Sequence, residues 1–196
     1  MHLAFDIFQG IGIAAAVGVR PFLPSLAVGA LAAGDVEIHF KGTSYSFLQE
    51  APFLLAMAVL AIALAVAERR FSAERFERGP WALVLAGASV VLGALFFAGS
   101  LARGGYAVWP GYVGGVICAL IGIAATRPLL SRVRARLGPE EAAYLPLFAE
   151  LIAVVSAALS VVAPPVGPVL LAFLLWLLFA SRRREGQKYA GLRILK

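Results

Sequence analysis

The chain has 196 residues, of which 61% are hydrophobic and only 14% charged, with a formal net charge of +6. A soluble domain carries roughly 25% charged residues, so a water-soluble globule is excluded. The basic residues sit in short patches beside apolar runs, which fits orientation signals and anionic lipid rather than nucleic acid.

The start, Met1 to Gln9, has no Lys or Arg and its apolar stretch is interrupted by Asp6, so it reads as a retained first helix and not a signal peptide. Charge-free runs at Ala51–Ala67, Trp81–Ala102, Gly104–Thr126 and Leu151–Ala180 each approach or exceed the roughly 20 apolar residues that cross a bilayer. The expected fold is an all-α membrane bundle of about six transmembrane helices, at 3–33, 50–68, 80–102, 106–130, 140–163 and 166–181. The first is too long for a simple span and is interrupted by Arg20-Pro21. After it, Val36 to Lys41 alternates apolar and polar residues, Gly42-Thr43-Ser44 turns, and Tyr45-Ser46-Phe47 follows. That pattern predicts a small β-hairpin against the outer helix ends. Gly79-Pro80 and Gly138-Pro139 each mark a helix end followed by a helix start, and Pro164-Pro165 with Pro168 predicts a tight turn between the last two helices. The lone cysteine, Cys118, lies in an apolar run and reads as a small packing residue.

Orientation follows from the basic residues. Arg69, Arg70, Arg75 and Arg78 fall in one connection, Arg132, Arg134 and Arg136 in another, and Arg182, Arg183, Arg184, Lys188, Arg193 and Lys196 in the tail. The intervening connections hold only Lys41 and Arg103. With six spans, the basic side is cytoplasmic and both termini lie there. A multi-pass protein of a bacterial inner membrane is expected, its cytoplasmic face against anionic headgroups and a homodimer compatible with its size.

Gly12 to Leu23, containing Arg20-Pro21, resembles Gly122 to Leu130, containing Arg127-Pro128, and each is followed by a Glu-Ala-led helix. Residues 1–102 and 103–184 could form two three-helix units, with 185–196 a basic tail. Three spans is an odd number, so the units would be inverted, as in many transporters. Arg20 and Arg127 would then face opposite sides of the midplane. Small residues at four-residue spacing, Gly10, Ala14 and Gly18 in helix 1 and Gly111, Gly115 and Ala119 in helix 4, predict close, central helix packing.

Arg20 is the most informative residue, because an arginine within a span costs about 2.5–3.5 kcal/mol on insertion scales and needs a partner or a wet cavity. A helix restarting at Pro21 would aim its positive N-terminal end at the same space, which favours an anion. The competing reading is an arginine near the outer headgroups with residues 22–34 re-entrant or interfacial. Arg127 stands near a helix end, where snorkelling to headgroups is ordinary. Glu150 shares a face with Ala153, Ala157 and Ser160 and is expected to pair with an arginine or carry a proton. Asp6, Gln9, Glu50 and Glu68 read as interfacial. His2 and His39 lie outside the spans, and no metal-ligand cluster, nucleotide motif or hydrolytic constellation is evident, so no cofactor and no enzymatic activity are expected.

The Gly-Val-Arg-Pro-Phe-Leu-Pro core within Gly12 to Leu31, helix 2 ending in Glu68, the Glu150 helix with its Pro-containing turn and the Arg-rich tail together resemble a bacterial family of small membrane proteins, domain of unknown function 4126. Residues 36–47 and the tail beyond Glu185 fall outside that resemblance. It implies a multi-spanning protein and supplies no activity. The functional expectation therefore rests on the residues. It is a transporter or translocase of an anionic substrate such as a phosphate-bearing lipid, with Arg20, Pro21, Arg127 and Glu150 at the substrate. The alternatives are a non-transporting scaffold subunit and a small ion channel.

Overall fold

A backbone flanked only by apolar side chains must satisfy its own polar groups, and this chain does so with helices. The computed structural model describes residues 3–70 and 79–191, the side chains of 139 and 183–191 excepted, and every regular element among them is a helix. In chain order these are α1 (Leu3–Val19), α2 (Phe22–Ala33), a 3-10 turn (Ser46–Gln49), α3 (Ala51–Arg70), α4 (Pro80–Arg103), α5 (Trp109–Arg134), a short turn of helix (Pro139–Ala142), α6 (Leu145–Val162) and α7 (Val166–Gly191). Of the basic residues that set orientation, Arg75, Arg78, Arg193 and Lys196 lie outside the described residues, as do the side chains of Arg183, Arg184 and Lys188.

The punctuation works locally as its chemistry requires. Pro80 opens α4 behind an extended Gly79, and the Pro164-Pro165 turn separates α6 from α7. Pro21, in helical conformation at φ −77°, caps α2 without a side-chain bond, and Ser25 Oγ donates to its carbonyl at 2.6 Å.

The chain reverses at Arg20-Pro21. Arg103, at the end of α4, donates one bond to Asp6 in the first turn of α1 and another to the Glu37 carbonyl beyond α2. Both ends of the α1–α2 pair therefore meet at one guanidinium, and Arg20 marks the apex of a helical hairpin. α2 climbs back beside α3, with Gly29 against Leu48 and Leu54. α1 forms the centre of the bundle, touching α4, α5, α6 and α7.

The bundle has two chemically distinct ends. The loop end carries Asp6, residues 34–50, Arg103 and the Pro164-Pro165 turn. The basic end carries Arg69, Arg70, Arg132, Arg134 and Arg136. This corrects the expectation that both termini share one side: α1 starts at the loop end, whereas α7 starts beside Phe8 and Gly12 and runs toward the basic end. The 3–33 segment is a helical hairpin of 17 and 12 residues instead of one broken span.

The inverted repeat fails for a related reason. Gly10 and Gly114 both meet Phe97, Ala14 and Gly115 both meet Gly93, and Gly18 meets Ala119, so α1 and α5 run parallel. Inversion would require them antiparallel. Nor does Pro128 break its helix, since α5 is continuous from Trp109 to Arg134. The predicted hairpin is also not formed. Among the described residues there is no strand, and residues 34–50 fold as a plug with Ile38, Phe40 and Leu48 fully buried. Left-handed backbone at Asp35 and Glu37 breaks the alternation, and the Gln49 side chain accepts the Phe40 N–H at 2.7 Å where a strand partner would have done so.

The packing is inside out relative to a soluble protein. Ala14, Ala15 and Ala16 are fully buried, while Leu83, Ile62, Ile152 and Val169 are each more than 60% exposed. Such broad apolar surfaces are foreign to soluble monomers. A side chain at Gly18 or Gly122 would strike the backbone of α5 or α1, so these helices approach at backbone distance. Of the predicted packing residues, Gly18 and Ala119 meet directly, Gly10 packs on Phe97, and Gly111 and Gly115 face α4 at Ala98 and Ala94.

A candidate functional site at the hairpin apex

Arg20 leaves the end of α1 with nothing apolar to satisfy five N–H donors. Its Nη1 donates to Glu68 Oε1 at 2.5 Å, and its Nε stands 3.9 Å from Glu150 Oε1. The three side chains are 11%, 11% and 14% exposed. Glu68 comes from the last turns of α3 and Glu150 from α6, so one guanidinium ties together the hairpin and the two helices packed on α2. The sharing is unequal. The Glu68 contact is a charge-assisted hydrogen bond, the Glu150 contact is too long for one, and Glu150 Oε2 is buried with no hydrogen-bond partner among the described residues.

A cleft of about 70 Å³ opens beside Arg20 and Glu68, where Ser89, Thr126 and Arg127 stand among apolar residues of α1, α4 and α5; Glu150 does not line it. Arg20 and Arg127 thus face one cleft and do not lie on opposite sides of a midplane. Arg127 Nη2 donates to the Ala82 carbonyl at 2.7 Å, near the start of α4. The cleft touches α4 at Leu85–Ser89, four to eight residues beyond Trp81. At 1.5 Å per residue it lies about 6–12 Å inward from that tryptophan. The volume suffices for a few waters or one small polar group.

A second, apolar groove of about 270 Å³ runs between α5, α6 and α7 over Ala16 of α1. It adjoins the first cleft along Val19, Thr126 and Leu130, which line both.

Reading the sequence missed three polar residues. Glu68 was expected at an interface and instead holds Arg20. Asp6, also expected there, is fully buried against Arg103 at 2.5 Å. Gln9 is 1% exposed and donates to the Val161 carbonyl at 2.9 Å. Asp6 did carry a signal, since a lone carboxylate in an apolar helix needs a partner as much as Arg20 does. Glu50 is exposed. Among the described residues no group of three His, Cys, Asp or Glu is placed to hold a metal ion.

Four helices, α3, α4, α5 and Glu140–Val162, are long and apolar enough to cross a membrane. Together with the apolar exterior they define a class: an all-helical chain compatible with multi-pass insertion, with an ion-pair cluster buried inside it. Within that class, the chain belongs to the family described as Domain of unknown function (DUF4126), whose model matches residues 7–184. The match runs through the 34–50 plug and stops before Glu185. Comparison with curated proteins and with solved structures finds no match.

Proposed function

We propose that this protein is a membrane transporter that moves an anionic substrate through the cleft at the hairpin apex. Helices α3 to α7 cross the bilayer, α1 and α2 enter it as a re-entrant pair, and the basic end faces the cytoplasm. The N-terminus then lies on the external side and the C-terminal end of α7 inside.

One observation carries the reading. A buried guanidinium that borders a cleft is shared unequally between two carboxylates. In a low-dielectric setting a charge must always have a partner, so Arg20 changes partners instead of standing free. An anion entering the cleft competes with Glu68 and Glu150 for its donors, and Arg127 on the same wall adds a second positive charge. A proton taken by Glu150 neutralises the carboxylate that Arg20 holds least, which couples anion entry to proton entry. Pro21 matters because it fixes the apex, so the substrate site and the bend coincide.

A second reading is favoured by the 2.5 Å Arg20–Glu68 bond itself: a non-transporting scaffold subunit in which that bond is a static pin. Reconstitution separates the two. Vesicles containing the protein are predicted to move inorganic phosphate or fluorescent phosphatidylglycerol faster than protein-free vesicles, and faster still with an inward proton gradient. Equal rates for both probes, with and without the gradient, contradict transport and leave the scaffold.

A further inference from the structure

The groove beside the cleft says what kind of anion is moved. α6 and α7 follow one another across a tight turn yet scarcely touch, and the gap between them is floored by Ala16 of α1 and Leu129 of α5. Ala149 and Ala153 keep the α6 wall low, and Phe173 and Leu177 form the α7 wall. Water gains nothing in such a lining, whereas a hydrocarbon chain gains about 25 cal/mol for each Å² it buries. The groove meets the cleft along Val19, Thr126 and Leu130, and two guanidinium groups, Arg20 and Arg127, line that cleft. A small pocket lined by two guanidinium groups and the Glu68 carboxylate, joined to a larger apolar slot, fits an anionic head on a hydrocarbon tail once that head takes the place of Glu68 at Arg20.

The geometry points to a phosphate-bearing membrane lipid as the substrate, with its phosphate at Arg20 and Arg127 and one acyl chain in the groove between α5, α6 and α7. This inference rests on the transport reading and narrows it. Charge complementarity decides the head: two guanidinium groups, Arg20 and Arg127, line the cleft against one carboxylate, Glu68. The tail is decided by continuity, since a free anion would leave the larger cavity unused.

The test uses the full chain reconstituted in vesicles, with fluorescent phosphatidylglycerol and radiolabelled inorganic phosphate as separate probes. Wild type is expected to translocate the lipid and not the phosphate. Filling the groove with Ala153→Trp or Ala149→Phe is expected to slow lipid translocation at least tenfold, while Leu151→Trp, on the exposed face of α6, leaves it unchanged. Lipid translocation untouched by both groove variants overturns the inference, and so does phosphate transport indifferent to them, although transport itself would then stand. Movement of neither probe by wild type sinks both.

A second measurement needs no variant. Wild-type protein in vesicles containing phosphatidylglycerol with a photoreactive acyl chain should carry adducts at Ala149, Ala153 or Leu174, which line the groove and are buried. Adducts confined to outward residues such as Leu151 and Val169 would identify ordinary surrounding lipid and overturn the assignment.

Discussion

Arg20 and Glu68, 48 positions apart in the chain, are joined by a 2.5 Å charge-assisted hydrogen bond between the apex of the α1–α2 hairpin and the last turns of α3. Removing one partner of a buried pair strands the other, at a cost of about 3–5 kcal/mol, whereas replacing both by apolar groups of similar size is often neutral. Arg20→Met and Glu68→Met should each lower the melting temperature in detergent, and the double variant should recover most of the loss. Additive losses in a double-mutant cycle would mean the two side chains do not act as a pair.

The hairpin makes a topological prediction that six simple spans do not. In a Cys118→Ala background, Leu3→Cys and Lys41→Cys should react with an impermeant maleimide from the same side of sealed vesicles, and Leu137→Cys from the other. Labelling of positions 3 and 137 from one side would restore the two-ended cytoplasmic arrangement.

That difference shows where the sequence stops being informative. Charge-free runs, Gly-Pro pairs and the Arg20-Pro21 interruption all report local backbone physics, and the helices start and stop close to where those residues require. Hydropathy measures length and not direction, so the 12-residue α2 could equally continue α1 or turn back. What turns it back is tertiary. Arg103 gathers Asp6 and Glu37, and Gly29 lets α2 lie against Leu48 and Leu54. Arg20 was legible as a buried charge in need of a partner. Its partner was not, because Glu68 stands at a helix end in sequence and becomes interior only when α3 packs on α2. The resemblance of Arg127-Pro128 to Arg20-Pro21 misled because Pro128 is absorbed within a continuous α5.

Close approach of α1 and α5 can be tested at two glycines. Gly18→Leu would drive a side chain into the Ala119 backbone and should prevent a well-packed fold, an overpacking cost of at least 1–3 kcal/mol. Gly87→Ala, which meets open space, should change stability by no more than about 1 kcal/mol. Thermal melting in one detergent compares them, and equal effects would contradict the packing.

The plug at the loop end carries a pH signature. Burial, and then the hydrogen bond it shares with Tyr112, push the Tyr45 phenol up to about 12. The folded protein therefore keeps a proton that the unfolded chain releases near pH 10. Stability is expected to be independent of this group below about pH 10 and to fall as pH rises from about 10 to 12. Tyr45→Phe should flatten that decline in melting temperature, and an unchanged slope would place the titration elsewhere.

The central claim is that Arg20 handles the substrate as well as bracing the fold. The most direct measurement is the rate of phosphatidylglycerol translocation in vesicles reconstituted with Arg20→Gln, set beside a Glu68→Gln variant matched for melting temperature. The account predicts that Arg20→Gln loses translocation by at least tenfold while Glu68→Gln, which frees the guanidinium, retains it with altered substrate affinity. Translocation by folded Arg20→Gln at the wild-type rate would contradict it.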